Sequence, residues 1–146
     1  MSACLVCQEV RGVIPVPGGF LQSSGSSVAL HVPPLDHRDV YLGHLLVVPR
    51  RHVPDFAGLE ESEAAEIGVA ISRWSRALAT FGADRVYVAT IGHGSDHLHV
   101  HLVPRWPETP SEIPWHSVDE WSGARRADFD GAAQFAGALL AEADLH

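Results

Sequence analysis

From His97 to Leu102 the chain alternates imidazole and aliphatic side chains without interruption, as His97-Leu98-His99-Val100-His101-Leu102, and Val103 follows. A period of two fits an extended strand and no helix, because successive strand side chains leave on opposite faces. The three imidazoles then share one face and the three aliphatics the other. Leu98, Val100 and Leu102 must face the core, since burying three imidazoles instead would leave their ring nitrogens to be satisfied one by one. The histidines therefore line a cleft. At about 3.3 Å per residue, rings two positions apart stand about 6 to 7 Å from one another, near enough to act together on one small anionic group. Three imidazoles on one strand could instead hold a catalytic zinc with an open position.

The rest of the composition narrows what such a cleft can do. All 10 basic residues are arginine against 18 acidic ones, so the formal charge is −8. Without lysine there is no Schiff-base nucleophile, no pyridoxal-phosphate anchor and no Walker-type phosphate loop. The negative charge argues against nonspecific nucleic-acid binding, which needs a phosphate-neutralising surface. There are 10 histidines but only 2 cysteines, and these form a Cys-x-x-Cys pair, Cys4 and Cys7. In a reducing compartment such a pair reads as a metal knuckle or a redox motif, with two unligated thiols as the plainer option. No run of eighteen apolar residues occurs and the first residues lack a basic and then apolar pattern, so the expectation is a cytoplasmic protein with no membrane association.

Length and hydropathy fit one domain over residues 1–146. Residues 13–27 are rich in Gly, Pro and Ser and read as turns around at most one short strand. Val28–Val32 and His44–Val48 read as strands, ended by Pro33-Pro34 and Pro49. Between Leu59 and Thr80, Ile67, Ile71, Trp74, Leu78 and Phe81 recur at spacings of four and three, which predicts a long helix stopped by Gly82. Arg85–Ile91 and Leu98–Val103, separated by Gly92-His93-Gly94-Ser95-Asp96, read as an antiparallel pair. A Pro and Trp-rich arm over 106–128 shows no periodicity, and an Ala-rich helix is predicted over 129–143. The fold class is α+β, helices against one face of a mainly antiparallel sheet.

The segment His97–Val103, followed by Pro104-Arg105, resembles the His-φ-His-φ-His-φ-φ signature of the histidine triad family. Gly43-His44-Leu45-Leu46-Val47-Val48-Pro49-Arg50-Arg51-His52 is similar to that family's second signature, and the Cys4–Cys7 region looks like the zinc knuckle, 1–12, of its bacterial members. The resemblance covers most of Cys4 to Arg105. It implies a HIT-like fold and a nucleotide hydrolase or nucleotidyltransferase acting on a nucleoside phosphoramidate or dinucleoside polyphosphate. The middle histidine, His99, would attack the α-phosphorus and carry the nucleotidyl group. A neutral imidazole is a competent nucleophile near pH 7, provided a partner fixes its tautomer. His101 and His44 would donate hydrogen bonds to phosphoryl oxygens, and Asp36 would meet the ribose hydroxyls. The knuckle implies a structural zinc on Cys4, Cys7, His52 and His97, a closed Cys₂His₂ set that leaves His99 and His101 for phosphate.

One departure stands out. Many members carry a longer Gly-Gln-Ser loop before the triad; here Ser95 or His93 is the available substitute donor. Arg105 and Arg50 are expected to add positive potential near the cleft, with a structural role as the alternative for Arg50 and Arg51. Trp74 reads as core, whereas Trp106, Trp115 and Trp121 are placed either to stack on a base or to cover a dimer seam. His31, His37, His116 and His146 read as solvated polar residues. The family resemblance implies a homodimer. The alternative function is a zinc-containing nucleotide-binding module with little turnover.

Overall fold

In the computed structural model, described over residues 4–144, the apolar stripe at helical spacing becomes α2, Glu61–Thr80, burying Ile67, Ala70, Trp74, Ala77 and Leu78. It begins two residues later than the periodicity predicts, because Glu60 and Glu63 form a capping box there, while Leu59 ends a short 3₁₀ turn. Its last turn closes at Phe81, ahead of Gly82 at φ +121°. The C-terminal helix, α3, spans Phe129–Asp144, buries Ala132, Ala136 and Leu139, and packs on α2. Leu145 and His146 lie outside the described residues, so the reading of His146 does too.

The strands are β1 Phe20–Ser23, β2 Ser27–His31, β3 Val40–Tyr41, β4 Leu45–Pro49, β5 Arg85–Ala89, β6 Val100–Arg105 and β7 Arg126–Ala127; α1, Leu5–Val10, precedes them. Five form an antiparallel sheet in the order β1-β2-β4-β6-β5, and β3 pairs with β7 in a separate ribbon. Every residue of β2 and β4 is buried, because both faces of the sheet centre are covered. On one face Ala29, Leu45, Val47, Val100 and Leu102 meet α2 and α3; on the other Val28, Leu30, Leu46 and Val48 meet Val6 and Val16 of the N-terminal segment. The α+β class is thus as expected, with a second, smaller core beneath the knuckle.

The arm, which has no periodicity of its own, is tied to the core at its start. Trp106 is 1% exposed, packs in the main core and donates from Nε1 to the Leu42 carbonyl at 3.1 Å, so it is free neither to stack on a base nor to cover a dimer seam. Further along, the arm supplies β7 and brings the Arg125 guanidinium over the Trp106 ring.

Candidate functional site

Alternation survives in β6, where Val100, Leu102 and Pro104 are buried while His101, Val103 and Arg105 are half-buried on the opposite face. The ladder, however, starts only at Val100. The β4 partner pairs as far as Val47–Val100 and β5 as far as Ala89–His101, so residues 97–99 lie outside the ladder, with the Leu98 amide donating to the Val53 carbonyl at 2.7 Å. This frees the three triad rings from an even row. The rings of His99 and His101 approach to 4.9 Å, whereas His97 turns away, is fully buried and lies 5.0 Å from His52.

Each ring is oriented by a specific partner. His99 Nδ1 lies 2.8 Å from the His97 carbonyl. A carbonyl only accepts, so Nδ1 carries a proton and, in the neutral ring, Nε2 keeps its lone pair. His101 Nδ1 lies 2.8 Å from His44 Nε2, one nitrogen donating and the other accepting. Burial, and then the neighbouring His101 charge, push His44 down to about 3, and burial also lowers His101. Both are neutral at pH 7, which permits this single-proton contact.

His31 overturns its reading as a solvated residue. It is fully buried, accepts the Gly43 amide at Nε2 at 3.0 Å, and its Nδ1 lies 2.9 Å from the Val32 carbonyl. No local signal separates it from an exposed strand histidine; only the unbroken apolar run Val28-Ala29-Leu30 before it hints at a strand buried on both faces. His37 and His116 are exposed, as expected.

The knuckle residues converge. The ligand atoms of Cys4, Cys7, His52 and His97 all lie within 4.8 Å of one another. Cys7 Sγ is 3.4 Å from His52 Nδ1 and 3.4 Å from His97 Nδ1, and Cys4 Sγ is 3.6 Å from His97 Nδ1. Tetrahedral zinc with ordinary Zn–S and Zn–N lengths places sulfur and nitrogen about 3.5 Å apart, so the donor set fits a closed zinc site. His97 Nε2 lies 2.7 Å from the Pro49 carbonyl, which puts the proton on Nε2 and leaves Nδ1 bare toward the thiols. Burial, and then the neighbouring Cys4 thiol, raise the Cys7 thiol. With His97 turned to the thiols, the triad does not assemble as a three-imidazole metal site.

The remaining expected residues are more scattered. Asp36 is exposed, and beside it a crevice of about 430 Å³ is lined by Ile14, Pro15, Pro33, Pro34, Leu35 and Phe129, with His37 and Arg38 at its rim. It opens one residue past Val32, whose amide donates to the His44 carbonyl at 3.0 Å. Ser95 Oγ accepts the His97 amide at 3.3 Å, and His93 is exposed on the same turn. Arg105 is not brought to the histidines: four residues beyond His101, or about 13 Å along the strand, it donates to the carbonyls of Ile113 and Pro110 and to the Tyr87 hydroxyl. Arg105 thus pins the arm. Arg50 and Arg51 are structural too, Arg50 on the 23–24 turn and Arg51 on Glu63 at 2.6 Å. A larger groove, about 950 Å³, lies between α2 and the end of α3 with no histidine in its lining. Among the described residues no helix is long and apolar enough to cross a membrane.

A family model described as HIT domain matches residues 27–108. An uncharacterized HIT-like protein of Saccharolobus solfataricus is 31% identical over 113 residues, covering 73% of this chain and 77% of that protein. An AP-4-A phosphorylase of Mycobacterium tuberculosis is 35% identical over 71 residues, which span 44% of this chain but only 36% of that enzyme. Among solved structures, a Zn-bound histidine triad family protein from Mycobacterium smegmatis shares the fold with a TM-score of 0.70 at 23% identity, over 98% of this chain and 96% of that one.

Proposed function

The chain belongs to the HIT domain family, and from that premise we propose that it is a nucleotide hydrolase or nucleotidyltransferase that cleaves a nucleoside phosphoramidate or a dinucleoside polyphosphate through a nucleotidyl-histidine intermediate. The observation that carries this reading is the His99 ring, tied by Nδ1 to a main-chain carbonyl and presenting Nε2 as its remaining nitrogen, with the His101 ring alongside. His99 Nε2 attacks the α-phosphorus, the N–P bond forms, and the bond to the leaving group breaks as that group takes up a proton. Water then attacks the same phosphorus, releasing the nucleotide and restoring the ring. Two easier displacements replace one difficult step.

His101 donates from Nε2 to a phosphoryl oxygen where charge develops, if its Nδ1 is the acceptor from His44. His44 then acts through His101, in place of the direct phosphate contact that its motif implies. Asp36 and the apolar crevice beside it take the ribose and base. Cys4, Cys7, His52 and His97 hold a structural zinc, whose contribution when bound is to fix His97 and the N-terminal segment against the sheet. A cytoplasmic setting belongs to the proposal, since the donor set needs free thiolates. So does a homodimer, the assembly implied by the family. The partial match to an AP-4-A phosphorylase supports the dinucleoside polyphosphate as one of the two substrate classes.

The test is a panel of adenylylated phosphoramidates and dinucleoside polyphosphates, with intact-mass detection of a nucleotidyl adduct. The expected adduct is lost in His99→Ala. Substrate binding without adduct or turnover across the panel would favour the second reading, a zinc-containing nucleotide-binding module. That reading draws on one observation: the short 92–96 turn offers a single hydroxyl, Ser95, whose oxygen accepts the His97 amide and whose one proton is all that this turn's hydroxyls leave to a phosphate.

A further inference from the structure

No motif assigns His31, and its ring is the most enclosed of those around the cleft's His44. We propose that His31 is a positioning residue that holds the Gly43–His44 turn and thereby aims the His44 ring at His101; this rests on the assignment of His101 to the phosphoryl group. The Gly43 amide donates to His31 Nε2 at 3.0 Å, so that nitrogen is unprotonated. The ring proton sits on Nδ1, facing the Val32 carbonyl at 2.9 Å. Burial keeps the ring neutral. A second ring proton would set one N–H against another.

The grip is two-sided. The His31 ring takes the amide of Gly43, while the amide of Val32 donates to the carbonyl of His44 at 3.0 Å. Phe135 closes the ring edge-on at 6.0 Å. Gly43 has φ +90° and is enclosed by Pro104, Trp106 and Leu78. Water has no easy route to its amide, so without His31 the amide loses its acceptor in a dry place and its peptide plane must turn to find another. That plane sets the direction in which His44 leaves the turn. Its rotation would break the 2.8 Å contact between His44 and His101 and release the tautomer of His101.

The experiment compares the full-length, zinc-loaded protein with His31→Gln, whose amide oxygen can still accept from Gly43, and His31→Phe, which keeps a flat ring without an acceptor. Ring-nitrogen NMR on histidine-labelled protein reads the His44–His101 contact directly, and kcat and KM are measured in parallel. In wild type, His31 should show one protonated and one bare nitrogen from pH 6.5 to 8. His31→Phe should lose the unequal nitrogen pattern at His101 and about tenfold or more in kcat with KM changed less than about twofold, while His31→Gln recovers most of both. A folded His31→Phe that keeps the His101 pattern and kcat overturns the proposal. If His31→Phe does not fold, a wild-type His31 that titrates within that range, or a folded His31→Gln that loses the contact, overturns it equally. Should no substrate be turned over, the nitrogen spectra still decide the positioning role, and the failure falls on the assigned reaction alone.

Discussion

Replacing Gly43 by alanine probes two terms at one atom. At φ +90° a side chain is strained, and the added Cβ would stand 2.7 Å from Pro104 Cγ, 3.0 Å from Trp106 Cζ2 and 3.3 Å from Leu78 Cδ2. The backbone term is about 1–2 kcal/mol. The packing term is about 1–3 kcal/mol, toward the upper end here, because Trp106 is fixed by its hydrogen bond to Leu42 and a proline ring has little room to give. Together they predict a loss of about 3–5 kcal/mol, or roughly 10 °C or more in melting temperature for a domain of this size. Gly82 supplies the control: it has φ +121°, and a Cβ added there would have nothing within 4 Å, so alanine meets the backbone term alone, about 1–2 kcal/mol. Urea unfolding of both variants beside wild type measures the difference, which should be about 2 kcal/mol. Equal losses at the two positions would refute the seating of Pro104 and Trp106 against the turn that carries His44.

Three further outcomes are expected. Metal analysis should find one zinc per chain in wild type and in His99→Ala, and little in Cys4→Ser or His52→Ala; zinc that disappears with His99 would transfer the metal to the triad. Since burial holds His31 below its ordinary range in the folded chain, only the unfolded chain gains its proton as pH falls below about 6.5, so folding free energy is present above that pH and declines below it, by up to about 1.4 kcal/mol per pH unit. His31→Gln should lack that part of the slope between pH 7 and 5, and parallel stability profiles for the two proteins would contradict a neutral buried ring. Arg105→Met should loosen residues 110–113, seen as faster amide exchange there, with KM within about twofold; a large rise in KM alone would return Arg105 to the substrate.

The parts legible in the sequence are those with a local period or a local spacing. Trp74 and Leu78 mark the long helix, the two strands around Gly92–Asp96 pair as a hairpin, and Cys4 with Cys7 points to a ligand pair. His52 and His97 join that pair through the family resemblance, and their side chains do converge on it. What escapes is set by tertiary partners. His31 ends an apolar run that hints at a buried strand, but nothing local reveals that a glycine amide twelve residues on needs its ring as an acceptor. Arg105 follows the triad as a phosphate-binding arginine would, yet its fork meets carbonyls of an arm whose path has no periodicity. Trp106 lies at the start of that arm, and only the fold shows that the arm doubles back over Leu42 and Gly43.

The two neighbouring imidazoles of the cleft, His99 and His101, are steered by different kinds of atom, and this bears on how the site can drift under mutation. His99 takes its orientation from the carbonyl of residue 97, an atom every amino acid supplies, so no substitution at 97 can delete the acceptor. His101 depends on the side chain of His44, which a single codon change removes. A substitution at position 97 that removes its imidazole therefore leaves the His99 ring aligned as long as the main chain holds. A substitution at position 44 leaves His99 in place while its neighbour His101 becomes free to exchange tautomers, so the two rings are exposed to mutation in unequal degree.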